Sequence, residues 1–237
     1  PQCSPYHSQS AFCPIIEHIG RAAKLAPREP DSDKLAKLKA YLPIMPGDAP
    51  ETLPLIANLL SISTDDQSAL AKLTPQQIKN KTVSALVDTA LAFSSQRPTL
   101  CIFEDVHWID PSTLELLELG ISRIDRARIL LVISYRPEFR PTWFTRANVT
   151  VHSLTRLSRS EVAGMVEALC LREHRLLQPI LNQIIEKADG LPLFIEELTN
   201  SILTSMRNRI ADSTVTPDSE PSAPKVPDTL YDALMER

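Results

Sequence analysis

The chain has 237 residues, of which 43% are hydrophobic and 23% are charged, and its formal net charge is -4. This composition is typical of a globular protein with one large domain or a domain and a satellite, and the acidic balance argues against a nucleic-acid-binding surface. The glycines are too few and too far apart to build a G-x-x-x-x-G-K-S/T or G-x-G-x-x-G phosphate loop within these residues; they are Gly20, Gly47, Gly120, Gly164 and Gly190.

The first part of the chain is predicted to be helical. Apolar residues recur at helical spacing over residues 10–25, and shorter patterns follow over 34–42 and 51–60. Prolines and Gly47 separate the two shorter patterns. We interpret residues from about 28 to 73 as a small helical insertion.

A helix followed by two strands is predicted for the next part of the chain. The sequence Thr74-Pro75-Gln76-Gln77 has the pattern of a capping box and predicts a helix that ends near residue 95. Continuous apolar runs over residues 99–103 and 129–134 predict two strands of a parallel sheet, each covered on both faces.

The two predicted strands are joined by a helix that begins at Asp110 and ends near residue 124. A strand, a helix and a strand within this length are typical of a crossover unit in a parallel sheet. Residues 149–154 are interpreted as a third strand.

Only helices are predicted beyond residue 154. Ser158 and Glu161 form a second capping-box pattern, a helix over 176–188 ends at Asp189-Gly190, and a third helix begins at Pro192. The predicted organisation is therefore an α/β core over 1–154, a helical lid subdomain over 155–210, a linker over 211–226 and the start of a following helical domain over 227–237.

Two adjacent acids, Glu104 and Asp105, directly follow the first predicted strand. The carboxyl edge of a parallel sheet is where α/β proteins bind ligands. One acid there can hold Mg²⁺ while the other orients or deprotonates the water that attacks a γ-phosphate. The same pattern also fits a pair of solvated acids with no catalytic role.

Arg136 follows the second predicted strand and is expected at the same edge of the sheet. Its guanidinium can contact a γ-phosphate, or it can neutralise the two acids as an ion pair. Gly190 and Pro192 lie where one predicted helix ends and the next begins, and an ordinary helix-turn-helix joint explains them equally well.

Taken together, these segments resemble the STAND class of P-loop ATPases, a branch of the AAA+ type. FEDVHWIDPSTLELL is similar to the Walker B segment of that class, ISYRPEFRPTW to its sensor strand and ADGLPLFIEELTNSIL to its G-x-P motif. CSPYHSQSAFCPIIEHI, LTPQQIKNKTVSAL and VPDTLYDAL are similar to one subgroup. In that subgroup the ATPase module follows class III adenylate or guanylate cyclase domains and precedes tetratricopeptide-like repeats.

The resemblance implies roles for five residues. Of Glu104 and Asp105, one would be the Mg²⁺-associated acid and the other the water-activating acid, and which of them has which role is left open. Arg136 would be the sensor arginine. Gly190 and Pro192 would lie near the adenine. His107 receives no role, and Trp108 is expected to pack in the core. The phosphate loop of the family is not among these residues, and the resemblance places it before Cys3.

The function implied is an ATP-binding, slowly hydrolysing switch within a larger cyclase-type or transcriptional regulator, with ATP/ADP and Mg²⁺ as ligands and sibling domains of the same chain as partners. Homo-oligomerisation is also compatible with it. The alternative is a non-hydrolysing scaffold that keeps the fold and binds partner domains.

Cysteine usage and hydropathy predict a cytoplasmic protein that does not enter a membrane. The cysteines lack C-x-x-C spacing, which favours reduced and mostly buried thiols, and they form no metal-ligand spacing with the histidines. No apolar run has the roughly 18 residues that a membrane helix needs.

Overall fold

The computed structural model describes residues 1–43, 51–64, 70–170 and 178–211, with side chains up to Arg207. It divides into two compact units, Pro1–Val151 and His152–Arg237, and each is described by itself. The division lies close to residue 154, where the sequence pattern changes. Gly47 and residues 212–237, which hold nearly all of the predicted linker and the predicted following domain, lie outside the described residues.

The first unit is a mixed α/β fold that is mostly helical. Its sheet contains β1 (Thr99–Phe103) and β2 (Ile129–Ile133). Its helices are α1 (Cys13–Ala22), α2 (Asp31–Tyr41), α3 (Thr52–Leu59), α4 (Pro75–Gln96) and α5 (Pro111–Arg123). The helix, strand and crossover pattern predicted from the sequence is confirmed for these elements.

Local side-chain chemistry sets where α4 begins. The Thr74 hydroxyl oxygen accepts a hydrogen bond from the Gln77 amide at 3.3 Å, and the Gln77 side chain accepts one from the Thr74 amide at 2.8 Å. This reciprocal pair satisfies two backbone donors that a helix start otherwise leaves without partners.

The two strands are parallel and in register from the pair Thr99 and Ile129 to the pair Phe103 and Ile133. Parallel pairing brings the carboxyl ends of both strands to one edge. On the other side of β1, Gln2 forms a parallel bridge with Glu104. The chain therefore has three parallel segments side by side at the level of Glu104.

One face of the sheet is exposed, which corrects the prediction that both faces are covered. Phe103 is buried, and Leu131 and Ile133 pack against the same core cluster. The opposite face carries apolar side chains that are between 44% and 64% exposed, namely Leu100, Ile102, Leu130 and Val132. The apolar run predicted two covered faces because both sets of side chains are hydrophobic, but the described helices cover only one.

The predicted third strand over residues 149–154 is wrong. The Val149 amide donates to the Arg146 carbonyl at 3.1 Å, in a turn. Val151 and Leu154 are exposed, and no strand is assigned over this segment. Residues 149–154 thus belong to an irregular connection between the two units.

The second unit is a helical bundle of α6 (Arg159–Leu169), α7 (Gln178–Ala188) and α8 (Pro192–Ala211). Ser158 and Glu161 form the predicted capping box at the start of α6. The core is apolar and includes the fully buried Ile184, Leu198 and Ile202. Across the residues described, the helices are too short or too polar to cross a membrane.

Candidate functional site

Glu104 lies directly after β1, its backbone forms two hydrogen bonds, and its side chain is exposed. Its amide donates to the Pro1 carbonyl at 3.0 Å, and its carbonyl accepts from the Cys3 amide at 2.9 Å. The side chain is exposed at the carboxyl edge of the sheet. The carboxylate therefore faces solvent from a fixed point of the backbone.

Asp105 adopts a left-handed backbone conformation, with φ 57° and ψ 39°. Its amide donates to the Ser134 hydroxyl oxygen at 3.1 Å, and the next amide, that of Val106, donates to the Ser134 carbonyl at 3.0 Å. Aspartate and asparagine tolerate this conformation better than most residues. The end of β2 thus fixes the peptide that carries the second acid.

Arg136 is exposed and lies beside an aromatic ring. Its guanidinium carbon is 5.2 Å from the centroid of the Trp108 ring, a distance typical of a cation–π contact. Throughout the described ranges, Arg136 forms no ion pair with Glu104 or Asp105. The guanidinium is therefore held at the edge by Trp108 and not by neutralising the acids.

Trp108 and His107 form a ring pair that the sequence did not reveal. Trp108 packs partly against the core, as expected, and its ring centroid lies 4.2 Å from that of His107. Both His107 ring nitrogens are buried and lack a hydrogen-bond partner among the described residues. No spacing signal in the sequence identifies this orphaned imidazole, because it arises only from packing.

Asp110 is 2% exposed and organises the loop that follows the acids. One of its carboxylate oxygens accepts from the Ser112 and Thr113 amides at 3.0 Å each, which caps α5 as predicted. The same oxygen accepts from the Phe12 amide at 3.2 Å. This hydrogen bond joins residues far apart in the sequence, and it ties the start of α1 to residues 104–110, here called the acidic loop.

Gly190 and Pro192 belong to the second unit, so the structure describes them separately from the sheet edge. Gly190 has φ 70°, and a Cβ there would lie 2.5 Å from the Leu157 carbonyl oxygen. The Leu157 amide donates to the Gly190 carbonyl at 2.9 Å. Backbone packing within this unit thus explains the glycine, and its place near an adenine stays a prediction.

A cavity of about 390 Å³ lies next to the acidic loop in the first unit. The residues that line it include Trp108, Asp110, His7, Cys13 and Glu17. Cys3, also in its wall, is buried, and that burial, with the charge of Asp110, raises the pKa of its thiol to about 11. The four cysteines are free, two of them buried and two partly exposed.

Comparison with known proteins gives a similar segment in a longer protein. No family model matches the chain. An uncharacterized protein of Rhizobium meliloti (strain 1021) is 36% identical over 126 residues. The matched segment is 52% of this chain but only 12% of that protein, so the chain spans a small part of the length of this relative.

Proposed function

We propose that this chain is part of an ATP-binding, slowly hydrolysing switch module of the STAND class of P-loop ATPases, within a larger multidomain protein of the cyclase-associated or transcriptional-regulator kind. Mg²⁺-ATP would lie between the edge of the sheet and the helical lid. The nucleotide state would then shift the populations of two arrangements of lid and neighbouring domains. The long relative, which contains a similar segment, supports a place within a larger chain.

The observation that carries the proposal is the geometry of the sheet edge. The strands β1 and β2 are parallel and in register. Glu104 and Asp105 directly follow the last residue of β1, and Arg136 lies three residues after the last residue of β2. The arrangement gathers two anions and one cation at the edge where α/β proteins bind ligands. Phosphoryl transfer needs this combination, since a metal ion and cationic side chains neutralise the charge on the transferred group.

The two carboxylates suit a magnesium ion. Neither side chain has an ion-pair or hydrogen-bond partner in the described part of the protein, so their oxygens are available. Mg²⁺ prefers oxygen ligands and keeps several waters, which one or two carboxylates can hold. The ion would offset charge on the phosphates, while the second carboxylate orients the attacking water and Arg136 contacts the γ-phosphate.

A phosphate loop must come from outside these residues, because no glycine-rich loop is present in the sequence. Loop amides and the loop lysine supply most phosphate contacts in P-loop proteins. We therefore expect the 237 residues alone to bind ATP weakly.

A scaffold is the second candidate, and one observation favours it. The exposed face of the sheet carries Leu100, Ile102, Leu130 and Val132, which is an apolar surface of the kind that a partner domain covers. A module that only docks its neighbours would use this face and would not need the two acids.

Calorimetric titration of the intact protein with ATP, with and without Mg²⁺, tests the proposal. We expect binding that Mg²⁺ strengthens and that Glu104→Gln makes less dependent on Mg²⁺. The control is Glu115→Gln, an exposed acid on α5 outside the site. Absence of ATP binding by the intact protein would leave only the scaffold, and low-micromolar binding by these residues alone would show that the phosphate loop is dispensable.

A further inference from the structure

We propose that His7, Cys13 and Glu17, which line the cavity beside the acidic loop, form a site for a zinc ion. One ligand atom of each side chain, nitrogen, sulfur and oxygen, lies within 4.8 Å of the other two. This site is separate from the proposed ATP site and does not depend on it.

The backbone brings these residues together through local structure. Residues 5–7 form a short 3-10 turn, and successive turn hydrogen bonds connect the Ser10 amide to the His7 carbonyl at 2.9 Å and the Cys13 amide to the Ser10 carbonyl at 3.2 Å. Cys13 is the first residue of α1, and Glu17 lies one turn later on the same face. The histidine thus folds back over one face of the helix.

The anchoring of this segment restricts its movement. Phe12 is buried with φ 57°, and its amide donates to the buried carboxylate of Asp110. Pro14 and Ile15, the second and third residues of the helix, are buried as well. The ligands therefore project from a fixed backbone, while the exposed side chains of His7 and Glu17 can still rotate toward an ion.

The distance between the Cys13 sulfur and the Glu17 carboxylate is close to that expected around a tetrahedral ion. The Cys13 sulfur donates to the Glu17 carboxylate oxygen at 3.8 Å. Zinc bonds of about 2.3 Å to sulfur and about 2.0 Å to oxygen place the two atoms roughly 3.5 Å apart at the tetrahedral angle. The ion would take the place of the thiol proton, which is released to solvent as the thiolate forms.

The donor set selects the metal. A thiolate and an imidazole favour zinc over magnesium or calcium, which prefer oxygen ligands. Three protein ligands leave a fourth position for water, and the site opens on a cavity of about 390 Å³. Arg21 also lines this cavity, and its positive charge makes an anion the class of ligand that the fourth position would accept.

The ligands are six and four residues apart, and this His, Cys and Glu pattern does not match a known zinc motif, so the site cannot be recognised from the sequence. Zinc motifs recognised from sequence pair two ligands closely, as in C-x-x-C. Here the 3-10 turn and the helix create the cluster, and it is visible only in the fold.

Titration of the 237-residue chain with Zn²⁺, and separately with Co²⁺, tests the site. We expect one zinc ion per chain, no competition from excess Mg²⁺ and a cobalt–thiolate absorption band. Cys13→Ser should abolish the band, and His7→Ala and Glu17→Gln should each weaken zinc binding by more than roughly tenfold. Circular dichroism of each variant confirms that it is folded.

Two matched controls decide the outcome. Cys101→Ser removes another partly buried thiol, and His18→Ala removes an exposed histidine that lies on α1, and both variants should bind zinc as the unmodified chain does. A cobalt band that survives in Cys13→Ser, a loss of binding in a control, or no zinc binding at micromolar zinc would each overturn the site.

Discussion

The amide of Asp105 donates a hydrogen bond to the hydroxyl oxygen of Ser134 at 3.1 Å. The two residues follow neighbouring strands, so this contact ties the end of β2 to the peptide that carries the second acid. Because Asp105 is in a left-handed conformation, its peptide orientation is not one that the strand would adopt by itself. Ser134 therefore positions the carboxylate.

Ser134→Ala removes the acceptor of this contact and keeps the strand. We expect a loss of unfolding free energy of about 0.5–1 kcal/mol, since a neutral hydrogen bond at an exposed position lies at the low end of what such bonds contribute. Urea unfolding followed by tryptophan fluorescence measures it, because Trp108 and Trp143 both lie in the first unit. Ser122→Ala, at an exposed position of α5, is the control, and an equal effect of both changes would contradict a special role for Ser134.

Gly190→Ala should strongly destabilise the helical unit. The added Cβ would meet the Leu157 carbonyl oxygen at 2.5 Å and its nitrogen at 2.9 Å, and both are backbone atoms. The left-handed φ of 70° adds strain for any other residue. Together these effects should cost about 2 kcal/mol or more.

Gly164→Ala is the matched change in the same unit. Gly164 lies within α6, and no atom lies within 4 Å of its added Cβ. Alanine is the better helix former, so this variant should gain about 0.5–1 kcal/mol. Scanning calorimetry compares the melting temperatures of Gly190→Ala and Gly164→Ala. Similar values for the two variants would contradict the close approach of the Leu157 backbone to Gly190.

The stability of the first unit should fall between about pH 9 and pH 11 because of Cys3. Burial, and next the charge of Asp110, raise the pKa of its thiol from 9.0 to about 11, so the folded state holds a proton that the unfolded chain releases. The resulting stabilisation of the folded state is complete below pH 9 and is lost as the pH rises to 11. Unfolding free energies measured across this range should decline less steeply in Cys3→Ala than in the unmodified chain. Parallel pH profiles would contradict the raised pKa.

Much of the fold follows from local signals. The capping boxes at Thr74 and Ser158 and the apolar run of β1 predict the observed elements closely, because a cap or a strand is set by neighbouring residues. The exposure of Leu100 and Ile102 could not be predicted this way. An apolar side chain on a strand does not specify whether another element lies over it.

The candidate site was predictable to the same degree. A strand followed by Glu104-Asp105 and a second followed by Arg136 place three charges at one edge by topology alone. The contact of Arg136 with Trp108 and the gathering of His7 with Cys13 and Glu17 depend on turns and packing over longer distances. The spacing of residues along the chain therefore does not predict these two contacts.

The catalytic role proposed for Asp105 is tested most directly by the rate of ATP hydrolysis of the intact protein and of its Asp105→Asn variant. Asparagine tolerates the left-handed backbone and keeps the amide that Ser134 holds, so the variant should fold and bind Mg²⁺-ATP. If Asp105 is the general base, single-turnover hydrolysis by the variant should be slowed by roughly a hundredfold or more. Unchanged hydrolysis, with binding intact, would contradict this role.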